Sequence, residues 1–166
     1  MKRKISLLIT LISAAIFTVS CQQEKPKQHP IVGLWKLHIM ETRDSINGYW
    51  TEWREGMQGY LLYDATENMS LHLTKKGYEN FNLEFPNFQD TIPLEALKHL
   101  TGSYLYFGKY TIDIAKSQVT HQRISHSNPK EWNATVIRNF TFRNDTLILR
   151  PDEEKNAKLR LKWLKN

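Results

Sequence analysis

A histidine, an arginine, a set of tyrosines and one loop tryptophan are the side chains here with the means to do chemistry. His121 lies in Val119-Thr120-His121-Gln122-Arg123, and strand alternation puts Val119, His121 and Arg123 on one face. A histidine on such a face is either a core side chain bonded to a neighbour or a polar anchor and general acid–base. Arg138 shares a face with Val136, Phe140 and Phe142. A guanidinium there needs a partner. That partner is Trp35, an internal acid such as Glu52, or the carboxylate or phosphate of a ligand. Tyr104, Tyr106 and Tyr110 share a face with Gly108 between them, and Tyr60 and Tyr63 lie on an earlier segment. These tyrosines read mostly as core, but buried phenols need hydrogen-bond partners, and convergent ones would orient a ligand with one or two polar groups. Trp132 follows Asn128-Pro129-Lys130 and falls on a loop, where it would cap a cavity mouth or cover core. The ligand-binding candidates are thus His121, Arg138, Trp132, Tyr104, Tyr106, Tyr110 and Tyr63, with His121 and Tyr106 the best acid–base pair.

Other chemistries find no support. The sequence has no nucleophile elbow, no phosphate-binding glycine loop and no HExxH. His121 and His126, five apart on a strand, fall on opposite faces, so no metal set is expected. No cofactor is expected either. The single cysteine, Cys21, excludes an intrachain disulfide and a cysteine metal cluster. Asn-x-Ser/Thr sequons and Asp-Ser/Thr-apolar triplets occur but are too short to argue from.

Short strands must position these side chains. They are rich in Tyr, Phe, Trp, Ile, Val and Thr and are separated by turn signals. The reading predicts strands over 31–41, 49–54, 59–63, 69–74, 103–114, 118–125, 134–143, 146–150 and 158–164. In the first, Trp35, Leu37 and Ile39 face inward. A short helix is expected over 92–100, capped by Asp90 or Thr91, with Pro93 in its first turn and Gly102 past its end. Eight or nine strands without a βαβ rhythm indicate an all-β, antiparallel barrel. Residues 75–90 are irregular but carry Tyr78, Phe81, Phe85 and Phe88.

The chain opens on a basic Met1-Lys2-Arg3-Lys4, an apolar run from Ile5 to Phe17, and Thr18-Val19-Ser20-Cys21. This is the layout of an export signal, and the run is too short to span a bilayer as a helix. Thr18-Val19-Ser20-Cys21 resembles a bacterial lipobox, although Leu is usual where Thr18 stands. The resemblance implies cleavage after residue 20 and lipid on Cys21, hence a lipoprotein of the bacterial cell envelope, expected in the outer membrane, on either face. Two or more acyl chains anchor stably where one does not. Residues 21–30 read as a polar tether and 31–166 as one domain. Removing Lys2, Arg3 and Lys4 with the leader lowers the net charge from +6 to +3, too weak a balance for a nucleic-acid footprint.

Gly33-Leu34-Trp35 resembles the Gly-x-Trp of lipocalin-like proteins, with Gly33 and Trp35 as its structural signature. Gly59-Tyr60-Leu61-Leu62-Tyr63-Asp64 with Asn68-Met69-Ser70, the run from Tyr104 to Thr111, Val119-Thr120-His121, and the segments about Asn139, Leu147 and Trp163 resemble further strands, in order. The chain is similar to the bacterial lipocalin-like domain family, of the calycin set. The resemblance implies an up-and-down barrel of about eight strands with a central cavity, and a Trp35 that closes its floor under a cation from Arg138, Arg160 or Lys162. Asp64-Ala65-Thr66-Glu67 departs from the family's Asp-Gly hairpin. The function expected is binding of a small hydrophobic or amphipathic ligand. The alternatives are an isomerase or cyclase of calycin shape, and a barrel filled by its own aromatics that docks another envelope protein.

Overall fold

The computed structural model describes residues 28–81, 91–154 and 158–166. The leader, Cys21, the tether through residue 27, and Phe85 and Phe88 lie outside the described residues. The strands are β1 (Gly33–Arg43), β2 (Trp50–Glu52), β3 (Met57–Tyr63), β4 (Asn68–Lys75), β5 (Ser103–Asp113), β6 (Gln118–His126), β7 (Thr135–Arg143), β8 (Thr146–Pro151) and β9 (Leu159–Lys165). The helix α1 spans Leu94–Leu100, and short 3-10 turns occupy Tyr78–Asn80 and Pro129–Glu131. Helix α1 starts after Pro93, which stands at the cap with no side-chain bond, so Thr91 does not cap it.

All pairings are antiparallel. They run from β1 to β3 and on through β9, which pairs back onto β1. Eight strands thus close a barrel, and β2 adds a ninth beside the C-terminal end of β1. Closure removes the exposed edges that an open sheet would present. The β3–β4 hairpin works without glycine. Glu67 takes the left-handed position at φ 65°, and the Asp64 carboxylate accepts from the Thr66 and Asn68 amides. Those bonds, led by the Asn68 side chain, hold Asp64 down at about 2.

Two bulges change the expected facing. On β1, Leu37 pairs with Trp163 and Ile39 with Lys162, so His38 is extra. Beyond it Met40 points inward, and Ile39 is only half-buried. On β6, Arg123 pairs with Gly108 and Ser125 with Phe107, so Ile124 is extra. Both His121 and His126 therefore face inward, contrary to the alternation expected for an unbroken strand. Gly108 permits the close approach, since a Cβ there would sit 1.8 Å from the Gln122 carbonyl oxygen. Tyr60 is exposed rather than core, because it lies an odd number of residues from Tyr63 on a strand of period two.

One barrel end is filled. Ile31, Trp35, Tyr63, Leu147 and Trp163 are essentially without exposure there. Trp35 Nε1 donates to the Ile31 carbonyl over 2.7 Å, tying the incoming chain across this floor. The cation over Trp35 is Lys165, 5.4 Å from the ring centroid, not Arg138, Arg160 or Lys162. Arg160 and Lys162 instead reach Glu41 on the barrel's outside, at 2.6 Å and 2.9 Å. Gly33 precedes the Trp at φ 141°, a conformation that side chains avoid. On the outer wall, register links exposed Leu34 to Leu62, then through Ser70 to Phe107, with Ile124 bulging beside it.

Candidate functional site

The opposite barrel end holds a cavity of about 850 Å³. Its inner wall is apolar, formed by Met40, Leu71, Leu73, Leu159 and Leu161, with Trp53 and Met57 higher up. Its mouth is set by the β2–β3 loop, the end of β4 and the C-terminal half of α1, where Arg54, Glu55, Lys75 and Lys98 are exposed. The volume lies in the range of small-molecule sites, which combine apolar walls with few polar groups. The polar groups on the deep wall are Tyr104, Tyr106 and Arg138.

Below the cavity, His121 links two strands of the barrel to a third. Tyr63 Oη lies 2.7 Å from His121 Nε2, and Tyr106 Oη lies 2.8 Å from Nδ1. All three are fully or almost fully buried. Burial, reinforced by the Arg138 and Arg123 charges, pushes His121 well below its usual value. Burial drives Tyr63 well up and pushes Tyr106 up to about 12. The imidazole is therefore neutral at physiological pH, with one accepting and one donating nitrogen.

Two arginines flank this group. Arg138 Nη1 donates to both Glu153 oxygens at 2.8 Å and to the Ile137 carbonyl at 2.8 Å. Its partner is thus Glu153, not Trp35 or Glu52; Glu52 pairs with Lys76. Burial alone would raise Glu153, but the Arg138 bonds and charge hold it below its usual value. Arg123 is only 3% exposed, pairs with Glu131, and lies 4.8 Å over the Tyr106 ring. His126 is 5% exposed and stacks on Tyr106 at 5.5 Å. The Asn128 amide donates to His126 Nδ1 over 2.7 Å, so the neutral ring carries its proton on Nε2. Among the described residues, that Nε2–H, the Arg123 Nε–H and, at the filled end, the Trp163 Nε1–H are buried without an acceptor.

Of the sequence candidates, Tyr104, Tyr106 and Arg138 border the cavity, and His121 stands behind Tyr106. Tyr63 and Tyr110 sit in the floor, 4.8 Å apart and edge-on, with Tyr110 Oη donating to the Asp64 carbonyl. Trp132 is 52% exposed, outside the cavity lining, and its Nε1 donates to the His126 carbonyl. Sequence reasoning left out His126, Glu131 and Glu153 and placed Arg123 without a role. The shared face of His121 and Arg123 was the available signal for Arg123; nothing local marked the two glutamates. Among the described residues no three His, Cys, Asp or Glu side chains converge as a metal set would require.

A family model described as a lipocalin-like domain matches residues 32–165. A search of curated proteins found no match.

Proposed function

The chain belongs to the lipocalin-like domain family, and from that premise we propose that it binds a small hydrophobic or amphipathic molecule in its barrel. The carrying observation is the cavity of about 850 Å³, apolar on its walls and polar only where Tyr104, Tyr106 and Arg138 meet it. Binding is favoured over catalysis because both His121 nitrogens are engaged by phenols, and a base of depressed pKa between two phenols of raised pKa is a poor proton acceptor from substrate. The lipobox-like Thr18-Val19-Ser20-Cys21 supports an envelope lipoprotein held by lipid on Cys21.

The test is native mass spectrometry of the purified full chain, followed by organic extraction. A discrete co-purifying molecule, or uptake of a dansylated fatty-acid probe, is the expected result. A bare mass with no probe uptake would sink the binding reading. A second reading has its own observation: the exposed stripe through Leu34, Leu62, Phe107 and Ile124 suits an interaction with another envelope protein. In that case Phe107→Asp would abolish partner capture and leave probe uptake intact.

A further inference from the structure

We infer that the cavity is built for an amphiphile with a single anionic head, seated deep against Tyr106 and Arg138 with its tail toward the mouth. The inference rests on the binding reading above and names the ligand class for the same cavity.

The first argument is a proton count. Tyr63 and Tyr106 together bring two hydroxyl protons to the neutral His121 ring, which offers one acceptor and one N–H. One phenol donates to the ring. The other receives the ring N–H and keeps its own proton for a further acceptor. Tyr63 is sealed in the floor, whereas Tyr106 borders the cavity. The tautomer with hydrogen on Nδ1 therefore gives the spare proton to Tyr106, the phenol that a ligand can reach.

The second argument is an excess of donors. Arg123 and Arg138 each meet a carboxylate through Nη1 alone. A guanidinium carries five N–H groups. Arg123 Nε–H and His126 Nε2–H are buried with no acceptor among the described residues and pack on Tyr106, but neither residue lines the cavity; the donors that face it are Tyr106 and the N–H groups that Arg138 does not spend on Glu153. The deep wall thus offers the hydrogens of Tyr106 and Arg138. Donors left unpaired are costly, and an anion seated against Tyr106 and Arg138 answers both at once. A neutral ester accepts more weakly, and a head that only donates would add to the mismatch. The mouth has the same bias, with Arg54, Lys75 and Lys98 against Glu55.

The experiment compares dansyl-undecanoic acid with its methyl ester on the purified full chain, at low and at high salt. The acid is expected to bind at least about tenfold more tightly, since one charge-assisted bond is worth roughly 1.4 kcal/mol or more. The preference should persist at high salt, because a buried seat is poorly screened. Tyr106→Phe, and separately the uncharged pair Arg138→Gln with Glu153→Gln, should erase the preference by weakening acid binding far more than ester binding. Equal affinity for acid and ester overturns the anionic seat and leaves the binding reading standing. So does a preference lost at high salt, which would place the selection at the mouth. Failure of both probes to bind overturns the binding reading itself.

Discussion

Acidification offers the sharpest test of how His121 is held. Its pKa in the fold is pushed well below the usual 6.5, first by burial and then by Arg138 and Arg123. The unfolded chain binds a proton near pH 6.5 while the native ring does not. Stability is therefore whole above that value and is lost as pH falls through it toward the native pKa. With the native ring still neutral, one differential proton removes about 1.4 kcal/mol per pH unit well below 6.5. From about pH 7.5 to pH 5 the loss from this residue integrates to roughly 2 kcal/mol. His126 and His29 are also lowered by burial and add acid losses of their own. Comparison with His121→Gln cancels them. The assay is urea unfolding of both proteins across that range. The variant should be the less stable at neutral pH, with the gap closing by about 2 kcal/mol at the acid end. Curves that run parallel would mean that His121 protonates as readily in the fold as in the unfolded chain, and the account of the Tyr63–His121–Tyr106 group would fail.

Further expectations are independent of that titration. Tyr63→Phe leaves one His121 nitrogen buried and unpaired, so unfolding free energy should drop by about 1–3 kcal/mol in urea melts; an unchanged midpoint would contradict the bond. Gly108→Ala drives a Cβ to 1.8 Å from the Gln122 carbonyl and should cost about 2 kcal/mol or more, read as a lowered melting temperature. Trp35→Ala empties the floor and should cost about 3–5 kcal/mol. Labelled palmitate should enter the cell-expressed protein through Cys21 and be absent from Cys21→Ala; equal labelling of both would dismiss the lipobox.

Much of the fold was legible because strand and turn chemistry is local. All nine strands stand within a few residues of the expected spans, since aromatic and β-branched runs end at Asn-Gly, Asn-Asp or Gly. Facing was legible only as far as alternation held. His38 and Ile124 are bulged, and neither bears a mark in the sequence, so Ile39 and His126 were placed on the wrong sides. Partners outside a residue's own strand were also hidden. Glu153 reaches Arg138 from just past β8, the hairpin neighbour of β7, and Lys165 reaches Trp35 across the β1–β9 pairing that closes the barrel. The polar cluster around Tyr106 depends on the β6 bulge in the same way.

The chain's arrival at the barrel sets the direction in which the protein presents its cavity. Residues 28–32 cross the filled end, where Trp35 is tied to Ile31, and the mouth opens at the other. Whatever precedes residue 28 pulls from the sealed side. Six residues lie between Cys21 and Gln28, and the seven steps from one to the other reach at most about 25 Å when fully stretched. On a bilayer held by Cys21, the barrel would stand with its back to the lipid. Its cargo would load from, and leave to, the aqueous space or a facing membrane rather than the leaflet that holds it.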